Sequence, residues 1–218
     1  MTSFQDRRHA GRKLARNLSI YAGKADILIL ALPRGGVPVA YEVALALNAP
    51  LDVFIVRKLG LPGREELAMG AVASGGVRVL NGDIIRMLSI PDEVINLVAK
   101  RELQELQRRE RLYRGNRPKP ELRDRTILLI DDGLATGASM RAAIAGLRAQ
   151  HPARIVIAVP TAAPDVCEAF QSEADEIICA ITPEPFYGVG RWYEDFSPVS
   201  DEEVQVLLEE ANRQYLYG

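Results

Sequence analysis

Two consecutive acidic residues, Asp131 and Asp132, directly follow the apolar run 127–130 and precede a loop of mostly small residues, 133–139. Paired carboxylates at such a position can accept hydrogen bonds from sugar hydroxyls, bind a divalent cation, or stabilise positive charge in a transition state. A loop of small residues that enters a helix leaves several backbone N–H groups free, and they bind an anion such as a phosphate monoester. Acids beside a phosphate would repel it unless they faced another group. The segment therefore predicts a ligand with one terminal phosphate and a nearby diol, as in ribose 5-phosphate.

Glycines and basic residues follow the two apolar runs nearer the N-terminus. After the first run, Arg34 is followed by Gly35 and Gly36, so that a guanidinium and backbone amides could closely approach a diphosphate. After the second run, Arg57 and Lys58 could meet a departing pyrophosphate. Two solvated cations at a strand end are the alternative interpretation of that pair.

The elements that must position these residues alternate along the chain. Apolar runs predict strands at 26–32, 51–56, 126–130, 154–159 and 176–181, and helical spacing predicts helices at 4–22, 37–47, 91–112, 139–149, 165–170 and 201–217. The stretch 57–83 contains many glycines, and we predict it to be irregular, with short β-like pieces at 70–74 and 77–80. Alternating strands and helices predict an α/β fold whose mostly parallel sheet is flanked by helices. Ligands of such sheets bind at the carboxyl ends of the strands.

Composition excludes several classes of function. The 218 residues are 48% hydrophobic and carry 27 basic against 29 acidic side chains, which argues against a protein that binds nucleic acid through phosphate neutralisation. No apolar run approaches the roughly 20 residues of a membrane span, and the first residues lack the apolar segment of a signal peptide, so we expect a cytoplasmic protein. Cys167 and Cys179 have no CxxC spacing, and we expect no disulfide framework. Two histidines argue against zinc hydrolysis and triad chemistry.

The segment 127–139, Ile-Leu-Leu-Ile-Asp-Asp-Gly-Leu-Ala-Thr-Gly-Ala-Ser, resembles the 5-phosphoribosyl 1-pyrophosphate (PRPP) signature of the type I phosphoribosyltransferases. Gly133 departs from the pattern, since an aliphatic residue is usual there. The resemblance extends over roughly 26–196 and implies a type I phosphoribosyltransferase-like fold with a small hood. The length is that of a single domain, so we expect one domain over 1–218, in which the resemblance implies a flexible lid at about 57–76 and an aromatic hood at about 183–200.

The resemblance implies roles for individual residues. The catalytic group would be Asp131, Asp132 and Lys58; the substrate-binding group would be Arg34, Gly35, Gly36, Arg57, Ala135, Thr136, Gly137, Ala138, Ser139, Phe186, Tyr187 and Trp192. Packing of the three aromatic residues on the core is the alternative to stacking on a base. In the family, a non-proline cis peptide is often found in the loop 33–36. Mg²⁺ would be the cofactor, bound mainly by the substrate, with Asp132 as the candidate protein ligand.

The implied reaction is displacement of pyrophosphate from PRPP by a nitrogen nucleophile. The expected partners are PRPP and an unidentified nucleobase, and we expect binding to neither nucleic acid nor membranes. The sequence does not decide whether the protein forms a homo-oligomer. Ala135 stands where many 6-oxopurine members have an aspartate, so the acceptor also stays open. The alternative is a regulator that binds PRPP without turning it over, for which the basic residues of 7–16 are only a weak hint. Neither GxGxxG nor GxxxxGK[ST] occurs, which disfavours dehydrogenases and P-loop enzymes.

Overall fold

The computed structural model describes residues 3–217. In chain order the strands are β1 (Ile27–Ala31), β2 (Leu51–Val53), β3 (Val56–Leu61), β4 (Arg64–Ala73), β5 (Val77–Leu80), β6 (Thr126–Ile130), β7 (Arg154–Thr161) and β8 (Glu176–Ile181). The α-helices are α1 (Arg7–Asn17), α2 (Gly36–Leu47), α3 (Gly82–Met87), α4 (Asp92–Arg114), α5 (Ala138–Arg148), α6 (Pro164–Phe170) and α7 (Asp201–Tyr217).

Five strands form one sheet in the order β2-β1-β6-β7-β8, and all of its neighbouring strands are parallel. Strands β1 and β6 are buried along their whole length because helices cover both faces of the sheet. One face packs against α1, α2, α4 and α7, and the other packs against α5 and α6. The predicted α/β class with a mostly parallel sheet is confirmed.

The segment predicted to be irregular, 57–83, instead forms a three-stranded antiparallel sheet in the order β3-β4-β5. Pro62 and Gly63 make the tight turn between the first two strands, and Gly63 has φ +78°. The predicted β-like pieces at 70–74 and 77–80 correspond to the end of β4 and to β5, but the prediction that the rest is irregular was wrong, because residues 64–66, at the outer end of the hairpin, are polar and exposed. Such a strand lacks the apolar alternation that identifies a half-buried strand in a sequence.

The helices mostly fall where periodicity predicts them. Helix α1 is shorter than the predicted 4–22 and is followed by a 3₁₀ turn at Ser19–Tyr21, and α3 was not predicted. Helix α4 packs against β3, β4 and α7 of the same chain. Within residues 3–217, none of the helices is both long and apolar enough to cross a membrane.

The two cysteines are paired in the structure, which corrects the expectation that they have no disulfide. Cys167 lies in α6 and Cys179 in β8, and their sulfur atoms are bonded. The 12-residue separation gives no sequence signal, because the two residues meet only when α6 packs against β8.

Candidate active site

The two loops that carry the predicted chemistry meet at the point where the strand order of the sheet reverses. From β1 the chain continues to β2 on one side, whereas β6 lies on the other side and leads to β7. Ala31 at the end of β1 pairs with Ile130 at the end of β6, and the N–H of Leu32 donates to the carbonyl of Ile130 at 2.8 Å. The loop 33–36 and the loop 131–139 therefore leave the sheet side by side, where ligands of open α/β sheets bind.

Two glycines let the first loop touch the acid pair. A side chain at Gly35 would overlap Oδ2 of Asp132, and one at Gly36 would lie 2.7 Å from the carbonyl oxygen of Ile130 and 3.0 Å from Cα of Asp131. The peptide bond between Pro33 and Arg34 is cis, as the resemblance implies. Only residues without a Cβ allow this close approach of the two loops.

The loop before α5 presents a row of free donors. No backbone N–H of residues 135–139 donates a hydrogen bond to another residue between 3 and 217. Gly137 precedes α5 with φ +72°, and a Cβ there would overlap the ring of Phe170. Ala135, Thr136, Ala138 and Ser139 are exposed, whereas Gly137 is buried beside the ring of Phe170. Five consecutive free N–H groups at the positive end of a helix can bind an anion.

Each carboxylate of the acid pair uses one oxygen within the protein. Oδ1 of Asp131 accepts the backbone N–H of Asp132 at 2.8 Å, and Oδ2 of Asp132 accepts Nε–H of Arg7 at 2.8 Å. The other two oxygens, Oδ2 of Asp131 and Oδ1 of Asp132, accept no hydrogen bond from any described residue. The pair thus keeps two acceptor oxygens for two donors of a ligand.

Burial raises the pKa of both carboxyl groups. The pKa of Asp131 lies well above its ordinary value because of burial and, next, the negative charge of Asp132; the backbone N–H of Asp132 and the charge of Arg7 oppose the shift. Burial likewise raises the pKa of Asp132, against the hydrogen bond and charge of Arg7. The fold therefore disfavours two charges here, and hydroxyl donors or positive charge on a ligand would relieve that cost.

Arg57 and Lys58 point to opposite faces of β3, as consecutive strand residues must. Lys58 lines a cavity of about 520 Å³ that Ala138 and Ser139 also line, and its Nζ donates to the carbonyl of Glu66 at 3.3 Å. Nε of Arg57 instead donates to Glu102 of α4 at 2.9 Å. In this structure the side chain of Arg57 therefore connects β3 to α4 and does not line the cavity that Lys58 lines.

The guanidinium of Arg34 is close to the start of α7. Its Nη1 lies 3.7 Å from Oδ1 of Asp201, and the side chain is 48% exposed. The backbone N–H groups of Arg34 and Gly35 donate to no other residue in the described range. The loop therefore offers two N–H donors and a loosely held cation to an anion.

The predicted aromatic hood separates into two parts. Phe186 and Tyr187 line an open cavity of about 600 Å³ together with Ala135 and Thr136, and Tyr187 is 80% exposed. Trp192 packs instead against a small cluster around Phe4. The structure therefore brings Phe186 and Tyr187 to the loop. Trp192 is instead packed in the protein, the arrangement given above as the alternative to stacking.

Two residues of the site were missed by the sequence analysis. Arg7 binds Asp132 as described above, and the hydroxyl of Tyr193 donates to the backbone carbonyl of Asp132 at 2.6 Å. A signal for Arg7 was present, since a cation in the first turn of a helix opposes the helix dipole and needs an acidic partner. Tyr193 gave no signal beyond its place among the hood aromatics.

A known protein family matches the part of the chain that includes the second loop of the site. The phosphoribosyl transferase domain matches residues 62–182, more than half of the chain, including the loop 131–139. The chain belongs to this family. Two relatives from Mycobacterium tuberculosis, of strains CDC 1551 and H37Rv, are provisionally named phosphoribosyl transferases; each is 45% identical over 99% of this chain. This family member spans about half of their length, 48%.

A solved structure resembles this family member over nearly its whole length. The protein TT1426 from Thermus thermophilus is 43% identical, with a TM-score of 0.83, and the alignment covers 96% of this chain and 99% of TT1426. Helix α1, the loop 33–36 and the segment 183–200 lie outside the 62–182 match but inside the fold that carries the site.

Proposed function

We propose that the chain is a phosphoribosyltransferase that transfers the 5-phosphoribosyl group of PRPP to a nitrogen of a nucleobase and releases pyrophosphate. The observation that carries this proposal is the juxtaposition of five free N–H groups, 135–139, with two free oxygens on Asp131 and Asp132. A sugar with a terminal phosphate and a cis diol matches both sets of groups. Membership in the family supports the same class of reaction.

Three parts of PRPP would bind three parts of the site. The 5-phosphate would accept hydrogen bonds from the N–H groups of 135–139, aided by the hydroxyls of Thr136 and Ser139. The ribose hydroxyls would donate to Oδ2 of Asp131 and Oδ1 of Asp132. The diphosphate would lie along the loop 33–36, within reach of its free N–H groups and of Arg34.

The acid pair has a direct role in the displacement. The bond from the anomeric carbon to pyrophosphate breaks with its electron pair on the leaving oxygen, and the lone pair of the base nitrogen forms the new bond. Positive charge develops on the sugar ring in between. Asp131 and Asp132, fixed against the ring hydroxyls and held in a partly buried site, stabilise that charge more in the transition state than in the ground state.

The donor set fits Mg²⁺ as the family's cofactor. The free oxygens of Asp131 and Asp132 are hard ligands of the kind that Mg²⁺ prefers. Across residues 3–217 there is no group of three or more His, Cys, Asp or Glu side chains that could hold a metal by itself, which suits an ion that takes most of its ligands from the substrate. When bound, Mg²⁺ supplies charge neutralisation of the diphosphate.

We propose the cavity beside Phe186 and Tyr187 as the acceptor site. It adjoins Ala135 and Thr136, so a base there would lie next to the bound sugar phosphate. The exposed ring of Tyr187 is free to stack on a planar base. Ala135 offers no carboxylate to accept a proton, so the identity of the base must come from a panel.

The test is isothermal titration with PRPP and Mg²⁺, followed by pyrophosphate release with a panel of nucleobases. Ser139→Leu places a bulky side chain beside the N–H groups and should abolish or strongly weaken PRPP binding. Ser172→Leu is the matched control, because Ser172 is exposed beyond α6 and lines neither cavity.

The possible results separate the two functions. Binding by the wild type and by Ser172→Leu, with pyrophosphate released by one of the bases, supports the transferase. Binding without release for every base favours the non-catalytic regulator. If the wild type does not bind PRPP, the proposal is wrong.

A further inference from the structure

Arg7 connects three parts of the chain at the acid pair. Its Nε donates to Oδ2 of Asp132 at 2.8 Å, and its Nη1 donates to the carbonyl of Ser197 at 2.7 Å. Its guanidinium also lies 3.9 Å from the ring centroid of Phe196. The first residue of α1, the end of β6 and the segment 196–197 thus meet through one side chain.

The charged side chain of Arg7 lowers the stability of the fold at this position unless a partner compensates its charge. Arg7 is at the positive end of α1, where the helix dipole repels a cation, and its side chain is only 11% exposed. Asp132 compensates that cost, since it is only 16% exposed and lies in ion-pair contact. A surface arginine serving solubility would need neither burial nor this partner.

The bonds of Arg7 fix the carboxylate without consuming it. Nε engages only Oδ2 of Asp132, while Nη1 is used by Ser197 and the guanidinium plane by Phe196. A bidentate pair would occupy both carboxylate oxygens, whereas this geometry leaves Oδ1 as an acceptor. Gly35 completes the arrangement, because a Cβ there would overlap Oδ2 and lie 3.4 Å from Nε of Arg7.

We propose that Arg7 is a positioning residue for the sugar: it holds Asp132 in one orientation with Oδ1 left for a ribose hydroxyl. This inference rests on the proposed function and adds to it a residue from outside the matched domain. Arg7 acts through Asp132, so its contribution to binding exists only while Asp132 is present.

A double-mutant cycle tests this dependence. The dissociation constant for PRPP with Mg²⁺ is measured by isothermal titration for the wild type, Arg7→Gln, Asp132→Asn and the double variant. We expect Arg7→Gln to weaken binding about tenfold in the wild-type background and by less than about threefold in the Asp132→Asn background, as coupled neighbours do. A purely structural role of Arg7 would give the same loss in both backgrounds.

Arg12→Gln is the matched control. Arg12 lies on the same helix, is half-exposed and pairs with Glu42 at 3.2 Å instead of the acid pair. It should bind PRPP like the wild type. Far-UV circular dichroism of every variant shows whether α1 is retained. If Arg7→Gln is poorly folded, the comparison uses Arg7→Lys, which keeps the charge and should recover part of the lost affinity.

The outcomes distinguish this inference from the proposed function. Wild-type binding together with equal losses in both backgrounds overturns the positioning role alone. Tighter binding by Arg7→Gln also overturns it, because Arg7 would then compete with the sugar for Asp132. Absence of binding by the wild type overturns both proposals.

Discussion

Replacing Gly35 by alanine should displace the carboxylate of Asp132 without straining the backbone. Gly35 has φ −61° and ψ −32°, an ordinary helical conformation, so alanine adds no backbone strain. Its methyl group would overlap Oδ2 of Asp132, and a normal carbon–oxygen contact requires the carboxylate to move by about 1 Å or more. That movement breaks the 2.8 Å bond from Arg7 and displaces the oxygen that we assign to the ribose.

The expected loss of PRPP affinity equals the contribution of one hydrogen bond, the one that we assign to the carboxylate of Asp132 and a ribose hydroxyl. A hydrogen bond to a charged group contributes about 1.5–3 kcal/mol, so the dissociation constant for PRPP should rise about 10- to 100-fold. The melting temperature should also fall, by roughly 3–12 °C, because the methyl group breaks an ion pair between two side chains that are only 11% and 16% exposed. Isothermal titration with Mg²⁺ and thermal unfolding measure the two quantities on the same preparation.

The neighbouring glycine provides the control. A methyl group at Gly36 would meet backbone, with the carbonyl oxygen of Ile130 at 2.7 Å and Cα of Asp131 at 3.0 Å, and neither can rotate away. Gly36→Ala should therefore cost about 1–3 kcal/mol of stability, a fall in melting temperature of roughly 2–12 °C. Unchanged PRPP affinity in Gly35→Ala would refute the view that a fixed Asp132 carboxylate holds the sugar.

Three further predictions concern other parts of the molecule. Asp131→Asn should lower pyrophosphate release about 100- to 1000-fold without lowering the melting temperature, since burial raises the pKa of Asp131 and the fold disfavours its charge; a clear loss of stability would contradict this. Lys58→Gln should weaken PRPP binding at the cavity beside the phosphate loop, whereas Arg57→Gln should chiefly lower the melting temperature; the reverse pattern would contradict the placement on β3. Burial and the bond to Asp201 raise the pKa of Tyr113 to about 12, above its unfolded value of about 10. The stability from Tyr113 is thus complete below about pH 10 and lost as pH rises through about 12, and Tyr113→Phe should flatten this part of a denaturation series.

The sequence predicted the central sheet well because four of its five strands are buried over nearly their whole length. Four consecutive apolar residues at 127–130 leave little choice of structure, and β6 occupies the predicted range. The loop 131–139 could also be predicted from the sequence, because backbone N–H groups stay accessible only where the residues around them are small. Of the small sheet, only the end of β4 and β5 were predicted, because the outer half of its first hairpin faces solvent and carries no apolar pattern.

The sequence alone did not predict the contacts between segments that are far apart in the chain. Arg7 and Asp132 are 125 residues apart, and nothing local to either residue identifies the other. Arg57 and Lys58 are adjacent and chemically alike, and only the alternation of β3 directs one to α4 and the other to the cavity that Ala138 and Ser139 line. The pairing of Cys167 with Cys179 likewise depends on the packing of α6 on β8.

The single arginine beside two carboxylates is consistent with the proposed chemistry. If a second cation paired with Asp131, the acid pair would be neutral and its remaining oxygens would be occupied, leaving no negative potential for a positively charged sugar ring. If Arg7 were absent, two buried charges would stand side by side, and the pKa of both carboxyl groups would rise further, because the charge of Arg7 opposes the shift of each. One cation, bound to one oxygen of Asp132, preserves both a net negative charge and two free acceptors. A site that stabilises an oxocarbenium-like transition state needs both properties together.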